Sequence, residues 1–276
     1  MNQVSDARLA IACHKAGIVP SLFLSSFCYD IIEKELIEYR NHVVGGDLLL
    51  SVTCSDLIPS IIKLIVDHQV THLELIDYHP TIENSSSRII ELIRNSGIKV
   101  YLKLTTYLEK EGYISSFDAI LIKGPDSAAR VVDTNKKLME RFVDAKLLYP
   151  NTPIIVCGGI STSKEIKEYL DAGAEAVSLG TVFALSEESR INMDKKRSLI
   201  NMRYDDVTKL ELKDSQQNAI VFSHIPNKEG NNTVGLRVGR DTADKGLIFI
   251  GKGIDNINAI KPVSEIVKEL TKDVQI

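Results

Sequence analysis

Long apolar runs are missing from this sequence. None approaches the ~18 to 20 residues that a membrane-spanning helix needs. The first residues also lack a basic stretch followed by an apolar core, the pattern that directs secretion. Both absences lead us to expect a cytoplasmic protein. Cysteine is scarce: Cys13, Cys28, Cys54 and Cys157 show neither C-x-x-C nor metal-ligand spacing. They therefore read as small hydrophobes in a reducing compartment rather than as a disulfide or zinc framework. The 6 histidines are scattered singly, which again argues against zinc. Neither sign of charge dominates, the net charge being −4 with a pI near 5.9. Nothing here attracts nucleic acid or an anionic membrane. Low-complexity tracts and linkers are missing too, so residues 1–276 read as a single domain.

What is present is an alternation. Short apolar runs rich in branched residues occupy Ile18 to Leu24, Leu48 to Thr53, Thr71 to Ile76, Ile98 to Leu104, Asp118 to Ile122, Pro153 to Cys157 and Ala176 to Leu179. Helical spacing separates most of them, at Asp30 to Tyr39, Leu57 to His68, Ser87 to Ser96 and Asn135 to Leu148. Strands buried on both faces and alternating with helices make a parallel sheet. The number of repeats predicts a (β/α)8 TIM-type barrel whose first strand is missing or shortened, because only Met1, Asn2 and Gln3 precede a helix over Ser5 to Ala16. Closure then calls for something at the vacant edge, which we expect from Met1 to Val4, another chain or an upstream extension.

The most informative stretch runs from Thr152 to Ser189. A buried strand leads into Gly158 and Gly159, a helix follows, and a second strand leads into Gly180 and Thr181. Thr162 and Glu165 form a capping box at the start of that helix, and Gly173 stops it. Glycine turns at the ends of neighbouring parallel strands present backbone N–H groups with no side chain in the way, a setting for a phosphate. That is the layout of the phosphate site after the last two strands of a barrel.

CGGI, DAGAEAV and GTVFALSEES in this stretch resemble the end of the barrel in the nitronate monooxygenase family and its relatives, the flavin-dependent enoyl-acyl-carrier-protein reductases. The resemblance implies an FMN-binding oxidoreductase. Its phosphate would rest on Gly158, Gly159, Ile160, Gly180 and Thr181, and its substrate would be a small molecule or an acyl thioester. KVYLKLTT resembles a family stretch whose lysine or serine reaches the flavin, which points to Lys103; an exposed face is the other place for a charge between Leu102 and Leu104. IKGPDSAAR resembles the family's QGPEAGGHRG loop, with Gly124, Pro125 and Asp126 aligning directly and Ser127 at a small-residue position. Ala128 and Ala129 replace the glycine pair, and Arg130 stands where the catalytic histidine belongs. Arginine stays protonated and only donates, so we expect a poor nitronate monooxygenase. His79, in a loop resembling one near the flavin, is the remaining candidate base; a solvated loop histidine is the plain reading. Residues 203–250 suit a lid, an insertion or an interface, such as that of a homodimer. A second expectation remains open beside the enzyme: a flavin- or partner-binding relative without turnover.

Overall fold

The computed structural model describes residues 4–23, 29–53, 57–77, 84–104, 114–131, 135–213, 218–224 and 248–274. The strands in chain order are β1 (Ser21–Phe23), β2 (Leu49–Thr53), β3 (His72–Asp77), β4 (Lys99–Leu104), β5 (Ala119–Lys123), β6 (Ala129–Val131), β7 (Ile154–Cys157), β8 (Ala176–Ser178), β9 (Thr208–Lys213), β10 (Asn218–His224) and β11 (Ile248–Phe249). A 7-stranded parallel sheet runs β1-β2-β3-β4-β5-β7-β8. Its strands fall within a residue or so of the apolar runs, except the first. Pro20 has no N–H for a ladder, so β1 starts at Ser21 rather than Ile18, although the Pro20 carbonyl still accepts from Leu49 N–H at 2.9 Å.

Helix α1 (Ala7–Lys15) precedes β1, and α2 (Tyr29–His42), α3 (Pro59–Asp67), α4 (Asn84–Asn95), α5 (Leu138–Leu148) and α6 (Ser163–Asp171) lie between the strands. Asp6 caps α1 by accepting from Leu9 N–H at 3.0 Å. The next helix forward, α7 (Thr181–Ala184), is a single turn, and α8 (Met193–Leu199) and α9 (Val263–Thr271) follow. The outward residues of the sheet, among them Leu22, Leu50, Leu73, Val100, Ile120 and Val156, are buried in one core against Leu36, Leu64, Ile93 and Phe142 of the helices. Burying such a side chain contributes about 1.5–3 kcal/mol, and this layer holds the sheet in place.

No strand precedes α1 among the described residues. Among the described residues β1 pairs only with β2 and β8 only with β7. Beside β1 lies the chain leading into α1: Phe23 N–H donates to the Ser5 carbonyl at 3.4 Å, and the Ser5 hydroxyl donates to the Ser21 carbonyl. Met1 to Gln3 lie outside the described residues.

A second, antiparallel sheet takes three of its four strands from the segment after Arg203. Strand β10 pairs with β9 along one edge and with β6 and β11 along the other. Leu185, Leu199, Val207, Ile248, Ile250 and Ile254 form a small core of their own. The membership of β6 is the unexpected part, since it lies in the loop after β5 and joins Arg130 to Val221 through the backbone.

Candidate functional site

Strands β7 and β8 are neighbours with Cys157 opposite Ser178, so the turns that follow them lie side by side. Gly158 and Gly159 have φ of 99° and 83°, a region that penalises every residue with a Cβ. Space is short as well. A Cβ at Gly158 would collide with Ser127, and one at Gly159 would stand 3.1 Å from Asp126 Cβ. At Gly124 it would meet Leu138 Cβ at 3.0 Å, and at Gly251 the Ala128 nitrogen at 2.8 Å. Three backbone segments, 124–128, 158–160 and 251–253, therefore pack directly on one another. They are joined by Gly124 N–H to the Cys157 carbonyl and Lys252 N–H to the Asp126 carbonyl, both at 2.9 Å.

On the β8 side Gly180 caps α7, and the Thr181 hydroxyl accepts from Gly251 N–H at 3.1 Å. Among the described residues the N–H groups of Gly159, Ile160, Gly180 and Thr181 donate to no protein acceptor. Ser127 is only 3% exposed, and its hydroxyl has no partner among the described residues. A buried hydroxyl without a partner costs about 1–3 kcal/mol, so the orphan group marks a place where a ligand atom belongs. The neighbouring N–H groups of Ser161 and Thr162 are already taken, each donating to Glu165 at 2.9 Å. The capping box thus bounds the cradle at one end.

The inward face of the sheet sets charged side chains among apolar ones such as Ile76, Leu121 and Ile155. Lys103 on β4 pairs with Glu74 on β3 at 3.1 Å, their side chains 19% and 5% exposed. The charge between Leu102 and Leu104 is thus compensated by a carboxylate on the neighbouring strand. Lys123 ends β5 opposite Cys157. Burial, reinforced by the charge of Lys103, pulls its amine down to about 7, while burial pushes the Cys157 thiol up. Sequence reasoning overlooked Glu74 and Lys123. Their signal was a charge placed on the same alternation as Lys103, in HLELID and AILIKG.

The candidates fall into two groups. Gly124, Ser127, Gly158, Gly159, Ile160, Gly180 and Thr181 come together around the cradle, and Lys103 lies on the barrel wall. Arg130 sits in β6, paired into the second sheet, and His79 lies outside the described residues. Ala129 keeps the left-handed backbone of a glycine position, with φ of 63°.

The SEES run, Ser186 to Ser189, explains itself as a clasp. The Glu188 carboxylate accepts from Val263 N–H at the start of α9 at 3.0 Å, and the Ser189 hydroxyl donates to the Ala184 carbonyl at 2.6 Å. The buried Lys196 amine donates to the carbonyls of Ser186 and Ser189 at 2.5 and 2.8 Å. Arg190 bridges Asp6 and Glu35 at 2.7 and 3.0 Å. This run holds α7, and with it the second turn, against α1, α2 and α9.

Solved structures share this architecture at low identity. FabK from Thermotoga maritima superposes with a TM-score of 0.78 at 19% identity, over 98% of this chain and 89% of that one. A nitroalkane oxidase from Streptomyces ansochromogenes gives 0.76 at 16%, over 99% and 92%. The enoyl reductase domain of MlnA from the macrolactin biosynthesis cluster of Bacillus amyloliquefaciens gives 0.64 at 14%, over 79% and 60%. No curated protein matches the sequence. The family model described as nitronate monooxygenase matches residues 106–273, more than half of the chain and the whole stretch from β5 through the glycine turns to α9. The chain belongs to the nitronate monooxygenase family.

Proposed function

We propose that this protein is an FMN-dependent oxidoreductase of the cytoplasm, acting on a small-molecule or acyl-thioester substrate, in which Arg130 does not perform the proton abstraction of the family's histidine. The cradle is the observation that carries this reading. Its four N–H groups and the Ser127 hydroxyl, all without a partner among the described residues, suit a phosphate dianion. A Cβ at Gly158 would collide with Ser127 and one at Gly159 would press on Asp126, so glycine at both places leaves their N–H groups uncovered. Bound FMN would supply hydride and electron transfer, chemistry that no side chain here provides. Lys103 would offer a cation to the ring, held in place by Glu74. The sheet of β6, β9, β10 and β11 would act as a lid over the substrate. The enzymes named in the structural neighbours, an enoyl reductase domain and a nitroalkane oxidase, accord with redox chemistry of this kind.

Arg130 favours a second reading, that of a flavin- or partner-binding relative without turnover. FMN titration followed by quenching of flavin fluorescence tests the first step. One equivalent should bind, and Gly159→Val should lose retention, because a branched residue at φ of 83° pushes on Asp126 and fills the cradle. Full occupancy in that variant would sink the assignment. Binding without reduction by NADH or NADPH would leave the second reading standing.

A further inference from the structure

Two carboxylates flank the glycine cradle, and an anion set between them meets both charges. Glu165 stands at one end, where one of its oxygens accepts from Ser161 N–H, Thr162 N–H and the Thr162 hydroxyl, each at 2.9 Å. Its charge is spread over these donors. Asp126 stands on the other side, its Cβ 3.1 Å from where a Cβ on Gly159 would lie. The Asp126 carboxylate faces the Lys252 amine at 3.5 Å. Backbone fixes where both side chains start, because Lys252 N–H donates to the Asp126 carbonyl at 2.9 Å and the preceding Gly251 N–H donates to the Thr181 hydroxyl at 3.1 Å. The pair thus joins two of the segments that wall the cradle. Its side chains are 44% and 54% exposed, which places the pair at the rim, while the next residue, Ser127, is buried.

We propose that Lys252 is a specificity-determining residue for the phosphate of the flavin: it offsets Asp126 at the rim and so lets the cradle hold a dianion. The proposal rests on the FMN reading and deepens it, since the glycine turns supply the hydrogen bonds and Lys252 supplies the charge balance. Electrostatics gives each change its sign. With both residues present the rim is neutral. Without the lysine a full negative charge faces the phosphate, and without the aspartate a positive one does. With both removed, neutrality returns. A half-solvated charge this close to a dianion changes its affinity by a factor of about five to ten. Riboflavin has the same ring and chain but ends in a hydroxyl, so the rim charge leaves its affinity unchanged.

The test is titration of the full chain, freed of flavin, with FMN and with riboflavin in low-salt buffer, read by quenching of flavin fluorescence. Lys252→Met should weaken FMN about five- to tenfold, Asp126→Asn should tighten it by a similar factor, and the double variant should return close to the parent. Riboflavin should shift by less than about twofold in all of them, and salt at about 0.5 M should remove most of the differences for FMN. The opposite signs of the two single changes carry the test, because a pair that merely held the loops together would lose affinity in both. An Asp126→Asn protein that binds FMN more weakly than the parent therefore overturns the proposal. So does a Lys252→Met protein that keeps its FMN affinity, or that loses FMN and riboflavin alike. If one single variant fails to fold, the sign of the other still decides. A parent chain that takes up no FMN defeats the flavin reading itself, a failure distinct from the wrong signs in variants of a chain that binds it.

Discussion

Glu74→Gln removes the carboxylate from a pair whose members are 5% and 19% exposed, while leaving Lys103 on the inner wall close to Lys123. Taking one partner from a buried pair costs about 3–5 kcal/mol, because the remaining charge keeps its desolvation penalty and loses its compensation. Lys103 retains some solvent, so the lower end applies, about 3 kcal/mol. For a chain of this size that corresponds to a fall in Tm of about 6–12 °C. The assay is urea unfolding at pH 7 without flavin, on Glu74→Gln, Glu74→Leu, Lys103→Met and the double variant Glu74→Leu with Lys103→Met. Each single change should be costly. The double change should lie near the parent, because two apolar side chains replace a pair whose attraction little more than offset its own desolvation. Single variants within about 0.5 kcal/mol of the parent, or a double variant equal to the sum of the singles, would refute the reasoning.

Ala129→Gly should stabilise the protein by about 1 kcal/mol, since it relieves the left-handed conformation at φ of 63° while adding some freedom to the unfolded chain; a loss of stability in urea melts would mean that the methyl group packs favourably. Lys123→Met should flatten the dependence of stability on pH. The folded amine near 7 binds fewer protons than the unfolded one near 10.5, so in the parent this group makes stability rise with pH across that window, by at most about 1.4 kcal/mol per pH unit. Melts at pH 7, 8 and 9 read the difference, and parallel curves for parent and variant would count against a neutral Lys123. Arg130→His should raise oxygen uptake with nitroethane from a rate well below about 1 per second; brisk turnover by the parent would show that guanidinium at this place does not disable proton abstraction.

Most of the barrel was legible because its strands announce themselves one at a time. Leu48 to Thr53 or Ile98 to Leu104 need only local pattern, and the capping box of Thr162 and Glu165 is contained in four residues that behave as read. The glycine turns were legible for the same reason. The second sheet was legible only in pieces. Thr208–Lys213 and Asn218–His224 are long enough to show as strands, but Ala129–Val131 is 3 residues of a loop whose partner lies about 90 residues further on. No local periodicity carries that pairing. The inner ion pair was half legible: Lys103 stood out between two leucines, whereas Glu74 reads as an ordinary polar alternate until the register brings it to the lysine. SEES was recognisable as a family mark long before its purpose was visible, since Glu188 finds Val263 and Ser189 finds Ala184 only once the chain has folded.

The pairing of Arg130 with Val221 has a consequence for how such proteins diverge and how they can be rebuilt. Position 130 is a rung in a sheet whose other members come from residues 208–224 and 248–249, so its backbone is set by a distant part of the gene. Grafting the histidine-bearing loop of another member onto this chain would transplant one rung of a ladder without its neighbours. A chimera that exchanges residues 124–131 together with 203–257 keeps the ladder intact, and the two segments should be inherited as one piece.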